Sequence, residues 1–305
     1  MFTEDPSPLL NQPATEPEVS HEQNQLESIP QPTHNPQADA WFGFLKAVIA
    51  WVGSVVSLLI VPLIVIVPYF AYLMTTSGPP TAEGLTQNKT FILLSIIGII
   101  PAHLLTLLLA WALVSRWGKE PFWKRLNFSW PPSIAPWAGF AVCFVIAIVL
   151  LGIGLLVTSV LGGGKTDLDK LIESSFQARI ATAFVAVVTA PLVEEIIYRG
   201  MLYPAIQRIT GMTWAVVIVS LMFAGVHVLQ YRNNIGVILV ITILSVTLTS
   251  IRAYTDRLLP TFIVHLIFNG LQSLYLVLQP FIEKPEKVEP APALAQLCHL
   301  LRHLF

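Results

Sequence analysis

Residues 180–199 read IATAFVAVVTAPLVEEIIYR, an apolar run that ends in two glutamates and an arginine. The apolar part is typical of a helix that enters a lipid bilayer. A charged side chain at bilayer depth costs about 2.5–3.5 kcal/mol on insertion scales, and such residues usually mark functional sites. The stretch therefore predicts a transmembrane helix that carries the polar groups of a functional site.

The charged end of this stretch predicts one ion pair and one carboxylate without a partner. Glu195 and Arg199 lie four residues apart, so they share a face of the helix and can neutralise each other. Glu194 lies about 100° around the helix from Glu195, which directs its side chain elsewhere. We predict that Glu194 is a general base and that Glu195 and Arg199 form an ion pair. The alternative is a salt-bridged pair that only stabilises a helix bundle.

The composition places the rest of the chain in the membrane as well. Hydrophobic residues make up 54% of the 305 residues and charged residues only 11%, unlike a soluble domain. The formal net charge of -1 argues against nucleic acid as a partner, because binding phosphates requires a basic surface. These values predict an all-α protein of the cell membrane. Its predicted fold is a polytopic transmembrane helix bundle with about seven spans, and eight spans are the alternative.

The predicted spans are apolar runs close to the length of roughly 20 residues that a bilayer requires. Pro62 and Pro68 are predicted to kink the first span or to end its regular part. His103, in the second span, has no acidic neighbour in sequence and is predicted to be packed or to snorkel toward the membrane surface. The runs are 41–74, 91–114, 137–161, 180–207, 213–230, 234–251 and 258–282.

Changes in composition divide the chain into four parts. Residues 1–40 are acidic and rich in proline, which predicts a disordered tail. Residues 41–162 hold the first spans, with cations and tryptophans at 116–136 that predict an interfacial segment. Residues 163–282 form a helical core with the polar motifs, and an amphipathic helix is predicted at 167–179. Residues 283–305 are predicted to be an amphipathic tail that lies on the membrane.

Two further polar pairs occur at helical spacing in later spans. Phe223 and His227 are four residues apart in the fifth span, and His265 and Asn269 are four apart in the seventh. Each pair therefore lies on one helix face. Counted at 1.5 Å per residue from one side of the membrane, Glu194 and His227 lie about 21 Å deep and Asn269 about 16 Å deep. We predict that these groups line one cavity.

The chemistry of these groups suits the hydrolysis of a carbonyl compound. Glu194 and His227 can hold a water, and the carboxylate can take its proton as the water attacks. His265 and Asn269 can supply hydrogen-bond donors to the developing oxyanion. Glu194, His227 and His265 are also the minimum set for a catalytic zinc with an open position, so a divalent metal stays open. Metal-independent activation is slightly favoured, because the chain lacks an HExxH pair and the three residues come from three helices.

The order EExxxR, FxxxH and HxxxN, each motif on its own membrane helix, resembles the CAAX-protease and bacteriocin-processing family, also called the Abi family. The resemblance covers residues 180–282 and implies a helical membrane endopeptidase. Members of that family are described both as metalloproteases and as metal-independent glutamate proteases. The resemblance implies a water-activating Glu194, a water-holding His227, an oxyanion site of His265 and Asn269, and supporting residues Glu195, Arg199 and Phe223.

The resemblance also indicates the partners of the protein. It implies a peptide or lipidated-protein substrate of prenylated CAAX type or bacteriocin type, met within membrane lipid. The alternative is a non-enzymatic membrane adaptor or immunity scaffold with the same fold. A transporter is a third hypothesis, which the lack of an internal repeat between the two halves disfavours.

Overall fold

The apolar runs form helices in the structure, a computed structural model that describes residues 36–162 and 166–282. Within these ranges the chain forms helices and turns and contains no β-strand, which confirms the all-α prediction. The predicted tail at 283–305 and residues 1–35 lie outside the described residues. The long helices are α1 (Pro36–Ser77), α2 (Lys89–Val114), α3 (Pro136–Leu161), α4 (Phe176–Thr210), α5 (Met212–Val228), α6 (Ile235–Thr255) and α7 (Leu259–Ile282).

Six of these helices are long and apolar enough to cross a membrane. Helix α5 is apolar but has only 17 residues, and at 1.5 Å per residue it is shorter than a hydrocarbon core of about 30 Å. The predicted polytopic helix bundle is confirmed, and the chain is a multi-pass integral membrane protein.

Three local predictions differ from the structure. Helix α1 continues through Pro62 and Pro68, so neither proline ends it, and it begins at Pro36, inside the predicted tail. The predicted helix at 167–179 is two helices, Asp167–Glu173 and the start of α4. They separate because the Ser175 hydroxyl accepts a hydrogen bond from the Ala178 N–H and caps a new helix. The predicted interfacial segment at 116–136 contains the short helix Phe122–Arg125, and its place at the membrane interface stays a prediction.

Helix α2 is interrupted at Gly98, where it approaches α1 closely. The helical halves are Lys89–Ile97 and Ile99–Val114. A Cβ atom at Gly98 would lie 2.8 Å from the Cα atom of Pro62, which is closer than side chains tolerate. Glycine therefore allows the two helices to pack together here, and the second half of α2 then lies beside α4.

Two large apolar clusters hold the helices around the functional site. The first joins α4 and α5 to small residues of α1 and α2, and the second joins α3, α6 and α7. Small residues let the helix backbones approach, as is usual inside membranes. Buried members of the second cluster are Cys143, Ala147, Leu150, Val240, Leu244, Leu248, Val264 and Phe268.

Candidate active site

A π-helical turn at Val185–Thr189 interrupts α4 and leaves one carbonyl group without a donor in its own helix. The Ala190 N–H bonds to the carbonyl five residues before it. The next residue, Pro191, has no N–H, so the Ala186 carbonyl has no donor in this register. The Asn269 side chain of α7 supplies the missing donor, with Nδ2 3.0 Å from the Ala186 oxygen. This hydrogen bond joins α7 to the helix that carries the glutamates.

A second π-helical turn, Glu195–Leu202, repeats the same arrangement lower in α4. The Tyr203 N–H bonds to the carbonyl five residues before it, and Pro204 follows. The Arg199 carbonyl is therefore left without a donor in its helix. The side chain of Arg252 from α6 fills the position, with Nε 3.1 Å from that oxygen. Both proline-linked π turns are thus docking points for a neighbouring helix.

Asn269→Ala should lower the stability of the protein by about 1 kcal/mol, the usual net contribution of one hydrogen bond. Pro191→Ala restores an N–H group in α4 that can donate to the Ala186 carbonyl when the Asn269 side chain is absent. The loss caused by Asn269→Ala should therefore be smaller in the Pro191→Ala background. Thermal unfolding of the four proteins in detergent measures this coupling. Gln272→Ala, which removes another amide from the same cavity wall, is the matched control.

An ion pair lies completely buried behind the cavity. Nη1 of Arg199 donates to Oε1 of Glu195 at 3.1 Å, and both side chains are 0% exposed. The other two nitrogens of this guanidinium group also donate. Nε donates to Thr249 Oγ1 at 3.2 Å, and Nη2 donates to Ser245 Oγ at 2.7 Å. Ser245 and Thr249 lie four residues apart on α6, a polar pair in an apolar span that the sequence interpretation did not use. Their spacing of four residues is the sequence feature that could have identified them as partners of a buried ion.

His265 links the two glutamates. Its Nδ1 lies 2.9 Å from Oε1 of Glu195, and since a carboxylate can only accept, Nδ1 carries the hydrogen. Its Nε2 lies 3.6 Å from Oε2 of Glu194, beyond ordinary hydrogen-bond length. The Glu194 side chain is 23% exposed and borders the cavity. The two adjacent glutamates therefore have different surroundings, one fully buried and one open to the cavity.

His227 is oriented by its own helix. Its Nδ1 lies 2.8 Å from the Phe223 carbonyl oxygen, so Nδ1 donates and Nε2 is left as an acceptor in the neutral ring. The Phe223 ring lies against several site residues at once. The Arg199 guanidinium carbon is 4.6 Å from its centroid, and the His265 ring centroid is 6.2 Å away. Phe223 therefore separates the buried cation from the cavity and positions both histidine rings.

One cavity of about 450 Å³ lies inside the bundle. Glu194, Phe223, His227, His265 and Asn269 all border it, so the structure brings together the residues that the motifs singled out. The supporting ion pair lies behind this wall and not on it. Most of the remaining lining is apolar.

His103 and Tyr231 are among the cavity-lining residues that the sequence did not place at the site. His103 of α2 is buried, contacts Thr189 and borders the cavity, so it does not snorkel to the membrane surface. Tyr231, in the turn between α5 and α6, also borders it. Burial, with Asp169 and Glu194 nearby, raises the pKa of Tyr231, so its hydroxyl group stays protonated and can donate.

The arrangement does not complete a zinc site. Oε2 of Glu194 and Nε2 of His265 are 3.6 Å apart and could supply two ligands. Within residues 36–162 and 166–282, however, no group of three histidine, cysteine, aspartate or glutamate side chains is arranged to hold a metal ion. Catalytic zinc sites use three protein ligands. The chemistry below is therefore derived from the side chains alone.

Comparison with known proteins gives two matches. Residues 176–271 match the family described as Type II CAAX prenyl endopeptidase Rce1-like. The chain is also similar to the membrane-embedded CAAX protease MroQ of Staphylococcus aureus (strain USA300), with 30% identity over 173 residues. That match covers 53% of this chain and 66% of the relative, just under two thirds of its length. No solved structure matches the chain.

The matched region contains the whole constellation described above. It runs from the start of α4 to the middle of α7 and includes the EExxxR, FxxxH and HxxxN motifs in order. These motifs meet at one cavity within a bundle of membrane helices. Both matches support assigning the chain to the CAAX-protease and bacteriocin-processing family of membrane proteins.

Proposed function

We propose that this protein is an intramembrane endopeptidase that hydrolyses peptide bonds of membrane-associated substrates. The observation that carries the proposal is the convergence of Glu194, His227 and His265 on one cavity inside the bundle. A carboxylate, an acceptor imidazole and a donor imidazole are what the hydrolysis of an amide requires. The family match supports the same reaction class.

The first step activates a water. Nε2 of His227 accepts one hydrogen of the water, and the Glu194 carboxylate accepts the other. As the water oxygen bonds to the substrate carbonyl carbon, its proton passes to Glu194. When the C–N bond breaks, this proton is delivered to the leaving nitrogen, so the products are a carboxylic acid and an amine. One water is consumed and Glu194 returns to its starting state.

The second requirement is a donor for the oxyanion. His265 meets it when both ring nitrogens are protonated, because Nδ1 then donates to Glu195 and Nε2–H is directed toward the cavity. In that state Glu194, Glu195, Arg199 and His265 together have zero net charge, which suits a buried cluster. The Glu195 carboxylate thus holds both Arg199 and His265 in place.

Asn269 has a second task in this scheme that the sequence did not predict. One of its amide hydrogens is directed to the Ala186 carbonyl, 3.0 Å from Nδ2. The amide has a second hydrogen, which can serve the oxyanion beside His265. We therefore assign Asn269 two tasks, docking α7 on α4 and assisting the oxyanion.

The substrate class follows from the cavity and the family. A volume of about 450 Å³ falls within the range of about 300–1,000 Å³ that is usual for ligand sites. The lining combines apolar side chains with the polar site residues, which suits a peptide joined to an apolar group. A lipid-modified CAAX-type C-terminus has these properties, and we propose it as the substrate; a bacteriocin-type peptide is the alternative.

The decisive experiment follows oxygen from the solvent into the product. Purified full-length protein in proteoliposomes is incubated with a farnesylated CAAX peptide in water enriched in ¹⁸O. Mass spectrometry should detect cleavage, with one ¹⁸O atom in the new carboxyl group. Absence of cleavage for farnesylated, unmodified and bacteriocin-type peptides would favour a membrane adaptor with the same fold.

Fully active protein should contain no stoichiometric zinc, since a third protein ligand does not join Glu194 and His265 among the described residues. Metal analysis of purified protein, combined with a chelator titration, measures this. One tightly bound zinc per active molecule, with activity lost on chelation and restored by zinc, would contradict the expectation. His227 would then be the obvious third ligand.

A further inference from the structure

A third histidine borders the cavity and comes from outside the matched region. His103 lies in the second half of α2 and is 4% exposed. It borders the same cavity as Glu194. His103 belongs to none of the three sequence motifs and lies outside residues 176–271, which match the family. Burying an ionisable side chain inside a membrane protein is costly, so such residues usually mark functional sites.

The hydrogen bonds of His103 determine what its ring offers to the cavity. Nδ1 lies 2.8 Å from Oγ1 of Thr189. The Thr189 hydroxyl itself donates to the Val185 carbonyl at 3.3 Å, so its oxygen accepts from His103 and Nδ1 carries the hydrogen. Nε2 of the neutral ring is then an acceptor. The structure shows no hydrogen-bond partner for Nε2 among the described residues.

Thr189 ties the His103 ring to the helix that carries Glu194. Thr189 ends the first π turn of α4, five residues before Glu194 on the same helix. The second half of α2 packs against both the π turn and the segment Ala190–Glu194. The hydrogen bond between His103 and Thr189 therefore holds the ring near the segment of α4 that carries Glu194.

We propose that His103 is a substrate-binding residue whose Nε2 accepts a hydrogen bond from a main-chain N–H of the substrate peptide. The inference rests on the proposed function and names a contact that holds the peptide beside Glu194. A peptide offers N–H donors and carbonyl acceptors, and an unprotonated Nε2 can pair only with a donor. The contact would align the scissile carbonyl with the activated water.

Two substitutions separate this role from simple packing. In His103→Asn, the amide nitrogen takes the place of Nδ1 and keeps the bond to Thr189, but no atom reaches the Nε2 position. In His103→Gln, the longer amide reaches the Nε2 position and offers an acceptor oxygen, but the bond to Thr189 is lost. If His103 serves only packing, His103→Asn should bind the peptide normally and His103→Gln should bind it more weakly. If Nε2 binds the substrate, His103→Asn should bind the peptide more weakly and His103→Gln should bind it normally.

The test measures binding and cleavage separately with one probe, a fluorescent farnesylated CAAX peptide. Binding is measured by fluorescence anisotropy in the Glu194→Gln background, where turnover does not interfere. His103→Asn should weaken binding by about 3- to 10-fold, the effect of one neutral hydrogen bond. In the otherwise wild-type protein it should slow cleavage by about 10²-fold, because the peptide is misplaced. Its melting temperature should stay near wild type.

His103→Gln should keep binding within about 3-fold of the parent protein, although its melting temperature falls through loss of the Thr189 bond. Full binding and cleavage by a folded His103→Asn would overturn the inference, as would equal loss of binding in both variants. Binding of the peptide without cleavage by the wild-type protein would refute the proposed function alone, because the two binding measurements still decide the role of His103. No binding to the Glu194→Gln protein would overturn the inference about His103, while the ¹⁸O experiment decides the function.

Discussion

Glu194→Gln should lower the rate of peptide cleavage by about 10² or more while the protein inserts and folds normally. Glutamine keeps the size and hydrogen-bonding capacity of glutamate but cannot take a proton from water. The Glu194 side chain borders the cavity and is 23% exposed, so the loss of its charge can be compensated by solvent. Single-turnover cleavage of the farnesylated peptide measures the effect.

Comparing the fall in kcat with the change in peptide binding identifies the step that Glu194→Gln affects. A general base acts in the transition state, so kcat should fall while binding of the peptide stays within a few-fold of wild type. Glu194→Asp is the informative companion, because it keeps the base but withdraws it from the water. It should retain more activity than Glu194→Gln. Full cleavage activity of folded Glu194→Gln would refute the assigned role.

Glu195→Gln, one residue further along the same helix, should instead destabilise the protein by about 3–5 kcal/mol. The Glu195 and Arg199 side chains are both 0% exposed, and the substitution leaves the cation buried without its counter-ion. It also weakens the acceptor that holds Nδ1 of His265. Thermal unfolding in detergent and the yield of folded protein measure this loss.

The neighbouring glutamate is the matched control, since Glu194→Gln is the same chemical change in a side chain that is not fully buried. A double-mutant cycle adds a second control. Removing the cation as well, in Glu195→Gln with Arg199→Met, should recover part of the lost stability, because no buried charge is then unpaired. A Glu195→Gln protein that expresses and melts like wild type would show that the pair does not hold the bundle together.

Much of this fold could be predicted because membrane spans are determined locally. A span needs only a run of apolar residues of sufficient length, and the described helices follow the predicted runs closely. Turns and caps were less predictable. Ser175 caps the start of a new helix through a single side-chain hydrogen bond where one continuous helix was predicted. Helix α1 continues through two prolines that were expected to kink or end it.

The candidate site was partly predictable for the same reason. Residues four apart meet on one helix face whatever the helix packs against, so the pairing of Glu195 with Arg199 and the grouping of His265 with Asn269 follow from spacing. The existence of a shared cavity required one further step, a comparison of depths across helices. His103 was missed because its partner, Thr189, is 86 residues away in sequence.

The sequence by itself therefore determined the membrane class, the helical spans and the members of each motif, all of which depend on periodicity along one helix. Only the tertiary structure decided which atoms face each other between helices. Each π turn holds an extra residue and rotates the following side chains by about 100° relative to an α-helix, so faces cannot be projected from one end of α4 to the other. The pairing of His265 with both glutamates, the docking of Asn269 on Ala186 and the entry of His103 into the cavity depend on that rotation and on helix packing.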